Sequence, residues 1–356
     1  MRSRYINRSS GIGLVDLMVG LAIGLVAMLV MLNVTVLFES RRRSTTGIAD
    51  AQMNAASAIL MISRELRIAG QGLGPADSLG CSIVHDKPRL GTMSLRPVEI
   101  INGDNGKPDR LRLLASGSPQ IISPATLIAE HPANAGVMHL DSTLGVESAH
   151  QMLLYEPGKL CALLDVTGIP IGSYRAHHEF LSVVGVPDYA AGARAINLGP
   201  LRFAEFSADT NDYLLVSRYL VASDQWQSAR MASEVVSLQA QYGFDSRTGT
   251  TASAAAGARV TRWSDTMIDA DDDGAVGDND DLRRLIAVRV ALVVRSAERS
   301  DQGCNAPVPQ WMAGDSVSGS LQPTTISLAH VSEWQCYRYR VLQTEIPLRN
   351  LLWSDA

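Results

Sequence analysis

The chain has 356 residues, 46% hydrophobic and 19% charged, with a net charge of −5. That length exceeds one typical domain and allows a sizeable core. The mild acidity carries no electrostatic footprint of a nucleic-acid binder, so no nucleic-acid partner is expected.

The N-terminal stretch "MRSRYINRSSG" holds Arg2, Arg4 and Arg8 and no acid. An apolar run follows, free of charge from Leu17 to Leu32 and continuing to Phe38 with only Asn33 and Thr35 as interruptions. A bilayer core needs about 20 apolar residues in a helix, so Ile12 to Phe38 is long enough to span it. The basic prefix favours a cytoplasmic N-terminus, although Arg41, Arg42 and Arg43 place basic charge on the other side too. An ordinary secretory signal fits poorly, because the run is too long and no small-x-small cleavage site follows it. A plain membrane anchor accounts for the length and leaves Asp16 unexplained. An ionised side chain within a membrane helix costs about 2.5–3.5 kcal/mol on insertion scales, less near a helix end. The acid becomes useful where a positive group, such as a freed α-amine of a neighbouring chain, neutralises it, and it suits the dipole of a helix N-terminus.

The stretch "GIGLVDLMVGLAIGL" resembles the class III signal of type IV pilins and type II secretion pseudopilins: a glycine, a hydrophobic residue, then an acid five positions into the mature chain. The resemblance implies cleavage by prepilin peptidase after Gly11, N-methylation of Ile12, and charge pairing of Asp16 with a neighbouring subunit's N-terminus during assembly. The family's usual acid is Glu and its usual first residue Phe; here Asp and Ile stand in those places. Gly20 and Gly24 form a GxxxG that lets two membrane helices approach closely. The implied division is a leader over 1–11, a membrane half of the helix over 12–38, an amphipathic half over 39–70 and a periplasmic head over 71–356.

Beyond the arginines, Ile48, Ala51, Ala55, Ile59, Ile62, Leu66 and Ala69 recur at spacings of three and four, a continuous helical stripe. Gly70, Gly72 and Gly74 then end the helix. The "GQGLG" there follows a helix and lacks the spacing of a dinucleotide loop. Strand patterns follow over 110–116, 212–223 and 234–244. The clearest runs from Leu285, where Ile286, Val288, Val290, Leu292 and Val294 alternate with Arg289 and Arg295; Tyr337, Tyr339 and Val341 alternate with Arg338 and Arg340. The expected fold class is α+β: a long N-terminal helix packed on an antiparallel β-sheet head. The Thr/Ala/Gly-rich stretch 248–259 reads as a loop.

The segment "DADDDGAVGDND", residues 269–280, has calcium-loop spacing. Asp269, Asp271 and Asp273 alternate, Gly274 supplies a sharp turn, Ala275 offers a carbonyl at the seventh position and Asp280 falls twelfth, where an EF-hand loop has Glu. Val276 is the expected anchor to the core, and Asp278 is a spare acid within reach. Ca²⁺ is the expected ligand, since Mg²⁺ keeps more of its waters. The alternative is a solvated acidic turn. A loop of this kind after "QYGFD" resembles what the PilW group of minor pilins carries, which narrows the resemblance to that group.

Cys81, Cys161, Cys304 and Cys336 lie far apart, without the spacing of a zinc or thioredoxin site. In an exported body an even count favours two disulfides, and of three possible pairings Cys304–Cys336 with Cys81–Cys161 is expected; in the cytosol four free thiols would be. No catalytic constellation stands out, and His177 and His178 read as surface or cap histidines. The resemblance implies a minor pilin, not an enzyme, in the inner membrane and then at the pilus tip, active in pilus initiation, twitching motility and adhesion. Its implied partners are other minor pilins, the major pilin, a tip adhesin and the inner-membrane assembly platform. Alternatives are a type II secretion pseudopilin of the J type, and a membrane-anchored periplasmic enzyme or binding protein.

Overall fold

The computed structural model describes residues 13–118, 123–179, 181, 183, 185–247, 257–300, 303–313 and 322–352. Helix α1 runs unbroken over 55 residues, Leu14–Ile68, about 80 Å at 1.5 Å per residue. No proline interrupts it, and its sequence changes from uniformly apolar to striped partway along. The first half, Leu14–Glu39, has a mean hydropathy of 2.5 and buries nothing against the rest of the chain. In the second half Ile48, Ala51, Ala55, Ala58, Ile62, Leu66 and Ala69 are buried in one cluster, with Ile59 packed at its margin. The helix stops where Gly70, Gly72 and Gly74 all take positive φ, which a Cβ resists. Its open end is closed from far along the chain: the Asn350 amide donates to the Arg67 and Ala69 carbonyls, each at 3.1 Å.

The striped half of α1 lies on a four-stranded antiparallel sheet ordered Arg262–Ser264, Val235–Phe244, Leu285–Arg295, Tyr339–Pro347. Val288, Val290, Leu292 and Val294 face the helix, as the alternation predicts. The alternation also predicts a solvated opposite face, and there the structure differs. Strand Leu285–Arg295 is buried on both sides until its last residue. Ala291 and Val293 pack under Trp311, Ala313, Ile326, Leu328 and Val331, a cover tied down by the Cys304–Cys336 disulfide. Arg289, which reads as a solvent-side charge, is 0% exposed: its guanidinium sits 3.8 Å above the Trp263 ring and bonds Gln241 at 3.2 Å and Glu345 at 3.1 Å. The aromatic face and the two acceptors replace its water.

A second antiparallel sheet has five strands, ordered Gln225–Ser233, Tyr213–Leu220, Arg202–Ala208, Arg110–Ala115, Val98–Ile101. It joins the first through the buried Asp109 carboxylate, which accepts from Gly103 N at 3.0 Å and Ala240 N at 2.9 Å, and through Tyr242 Oη, which accepts from Ile100 N. A third, eight-stranded sheet has one cluster of buried residues of its own and shares a second with Leu114, Phe203 and Tyr219 of the five-stranded sheet. Among the described residues all its pairings but one are antiparallel; Ser82–Val84 runs parallel to Cys161–Gly168, beside the Cys81–Cys161 disulfide. Much of the 248–259 loop, residues 248–256, lies outside the described residues.

Candidate functional site

Two features of the chain carry chemistry beyond packing. The first is the exposed half of α1. Gly11 and Ile12 lie outside the described residues. Asp16 sits in the first helical turn, with Gly13 as N-cap. Asp16, Gly20 and Gly24 recur every fourth residue, so they share one face of the helix. A Cβ at Gly20 or Gly24 would meet nothing within 4 Å, which leaves this face flat and open for a second helix. The acid thus stands on the same stripe as the small residues.

The second feature is the acidic loop. Ile268 and Ala270 enter it from the core, and Leu282 leaves it into the same cluster. Val276 is not an anchor; it is 62% exposed, and these three residues hold the loop in its place. The Asp269 carboxylate accepts from the backbone N–H groups of Asp272 (2.7 Å), Asp273 (3.1 Å) and Gly274 (2.8 Å). Those bonds, that of Gly274 first, hold Asp269 below the usual carboxylate range. Asp273 Oδ1 accepts from Ala275 N at 2.7 Å, and Gly274 and Gly277 turn the chain at positive φ.

Oxygens of Asp269, Asp271 and Asp273 lie within 4.8 Å of one another. Asp271 Oδ1 is buried and has no hydrogen-bond partner. Burial, reinforced by the negative charges of Asp273 and Asp278, pushes the Asp271 carboxyl up. An orphaned oxygen beside two further carboxylates fits a hard cation, which takes six to eight oxygens. Asp269, Asp271 and Asp273 would hold it, and bound Ca²⁺ would neutralise their repulsion and fix the loop.

Asp280 is not brought to this cluster. Asp278 accepts from Asp281 N at 3.1 Å and caps a short helix, α2 (Asn279–Arg283), which turns Asp280 outward. Its side chain is 58% exposed and lies 3.6 Å from Arg283. The inward place belongs to Asp281, which is 0% exposed and accepts from Gly277 N at 2.6 Å and from Ala270 N. Sequence reasoning passed over Asp281. The Asp278-x-x-Asp281 spacing of an N-cap with an acid three residues on was the available signal. The far side of the loop meets the segment that follows α1: Asn279 Nδ2 donates to the carbonyls of Ala76 and Leu79, and Arg96 Nη2, just ahead of strand Val98–Ile101, to that of Gly277 at 3.3 Å.

The disulfides are Cys81–Cys161 and Cys304–Cys336, and no cysteine is free. His177 is exposed, whereas His178 is buried against His131, so the surface reading of the pair holds for one member only. Strand alternation separates the two, and a residue 47 positions away supplies the partner.

Residues 206–350 match the family model described as type IV pilus-assembly protein W, PilW. The chain is similar to the PilW family. The match spans the four-stranded sheet, the acidic loop and Asn350, and excludes α1. The pilin-like signal of the N-terminal residues and the match over the head therefore rest on separate stretches of chain, whereas the acidic loop after "QYGFD", which narrowed the resemblance to PilW, lies inside the match. No curated protein and no solved structure matches.

Proposed function

We propose that this chain is a minor pilin of the PilW kind that takes part in starting a type IV pilus and in its tip complex. The observation that carries the reading is the stripe of Asp16, Gly20 and Gly24 on an exposed apolar helix, continuous with a half buried on the head. The PilW match supports a role in type IV pilus assembly. In this reading prepilin peptidase cuts after Gly11 and Ile12 becomes the methylated first residue. The apolar half holds the subunit in the inner membrane, head in the periplasm, until the assembly platform lifts it out. It then packs among the helices of other minor pilins and the major pilin. Asp16 is matched there by a neighbour's amino terminus, which makes the buried charge tolerable and sets the axial register. The head, with Ca²⁺ in its acidic loop, meets the other minor pilins and a tip adhesin, with roles in twitching motility and adhesion.

The test is deletion of the gene and complementation with wild type, Asp16→Ala or Asp16→Glu, scoring surface piliation and twitching against protein secretion. Wild type and Asp16→Glu are expected to restore pili, and Asp16→Ala to leave few. A secretion defect with normal pili would move the protein to a type II secretion pseudopilus. Full complementation by Asp16→Ala, together with a mature N-terminus still at Met1, would sink the pilin reading and favour a head that acts alone.

A further inference from the structure

A buried histidine pair in the eight-stranded sheet has no part in the pilin reading. His131 and His178 are 4% and 6% exposed, and their Nε2 atoms are 2.9 Å apart. The backbone of His131 exchanges two hydrogen bonds with Tyr189, at 2.8 and 2.9 Å, and His178 ends strand Arg175–His178. Hydrogen-bond partners assign the protons. His178 Nδ1 lies 2.8 Å from the Glu179 carbonyl, which can only accept, so Nδ1 carries the hydrogen. His178 Nε2 is then an acceptor, and His131 Nε2–H donates to it. That leaves His131 Nδ1 as a bare acceptor, buried and without a partner.

An added proton therefore has one place to go, His131 Nδ1, where it creates a buried cation whose new N–H meets only the backbone of His131 itself, too little to offset its burial. The surrounding groups do not compensate. Asp188 attracts such a charge, but its Oδ1 already accepts from Ala133 N at 2.7 Å. His139 opposes a charge on His131 and His177 one on His178, Glu179 contributes its carbonyl, and Tyr189 donates its hydroxyl to the Leu160 carbonyl.

We propose that the His131–His178 bond is an acid-labile latch, whose protonation frees segment 127–140 from strand Arg175–His178 while the helix-packed sheet stays closed. The hinge is local, because strand Val137–His139 pairs with Arg175–His177 at the edge of this sheet. Burial lowers His131 to about 4 and lowers His178 as well, so the pair is neutral when closed. An opened imidazole titrates near 6.5 and takes the proton first. The closed state thus keeps its full stability above pH 6.5 and loses it as pH falls from 6.5 toward 4.

The experiment is amide hydrogen exchange on the full-length protein in detergent micelles at pH 7.5 and 5.0, corrected for intrinsic exchange rates. Peptides covering 127–140 and 175–190 are expected to open about 20- to 30-fold more at pH 5.0, while those covering 235–244 and 285–295 stay unchanged. In His131→Gln an amide that does not titrate replaces the donor, and the pH dependence is expected to flatten. In the double variant His131→Leu with His178→Leu it is expected to vanish. Equal protection of the wild type at both pH values overturns the proposal, as does uniform loss across the head or an acid response that survives in the double variant. Should His131→Gln not fold, the wild-type profile and the double variant decide.

Discussion

At the scale of single residues, charge alone does not tell a ligand from a clamp. Asp269, Asp271, Asp273, Asp280 and Asp281 share one acidic run, yet the first three converge, the fourth faces solvent and the fifth is buried as a backbone acceptor. Calorimetric titration of the wild type with Ca²⁺ is expected to give heat that Asp269→Ala and Asp273→Ala abolish. Asp280→Ala is expected to keep most of it, because its carboxylate stands outside the cluster. Loss of binding in Asp280→Ala alone would mean that the loop rearranges around the ion. Asp281→Asn is expected to cost about 1–3 kcal/mol in urea unfolding, since the amide nitrogen cannot accept from Ala270 or Gly277. The clustering of the alternating aspartates was legible because their spacing is local. The roles of Asp280 and Asp281 were not, because a five-residue helix capped by Asp278 decides which of the two points inward.

At the scale of elements, α1 was the most legible part of the chain. A stripe of small and aliphatic residues at spacings of three and four must lie against something, and the length of the apolar run set the other half apart. Replacing Ile62 or Leu66 by alanine is expected to destabilise the head by about 2–5 kcal/mol, as both are wholly buried. Leu60→Ala and Met61→Ala, on the exposed face, are expected to change stability by less than about 0.5 kcal/mol. Thermal or urea denaturation of the four variants checks the pair of expectations. Equal effects on both faces would show that the helix is not seated on the sheet. The strand Leu285–Arg295 was legible only on one side. An arginine between apolar residues reads as a solvent face, and nothing nearby in sequence announces that Trp263, Gln241 and Glu345 enclose it.

At the scale of the whole molecule, two disulfides fasten two different regions. Cys81–Cys161 ties strand Ser82–Val84 to its neighbour Cys161–Gly168 within the eight-stranded sheet, and Cys304–Cys336 closes the layer over the four-stranded sheet. Cys161 and Cys336 are both buried, and the bridges differ in access at the other end, where Cys304 is exposed and Cys81 half-buried. Dithiothreitol without denaturant, followed by alkylation and peptide mapping, is expected to label Cys304 and Cys336 well before Cys81 and Cys161. Removing either bridge by a double Cys→Ala change is expected to cost about 2–5 kcal/mol. Simultaneous labelling of all four would mean that the eight-stranded sheet opens as readily as the cover.

What depends on short range could be read from residue order: the membrane-length helix, the acid and glycines on one of its faces, the stripe that packs, and the alternating aspartates. Which polar groups are enclosed depends on how distant segments come together. Arg289, His131, His178 and Asp281 are kept by partners brought in from distant strands or by the turn of a local cap, and a hydrogen bond acts over about 3 Å of space however many residues separate its two ends.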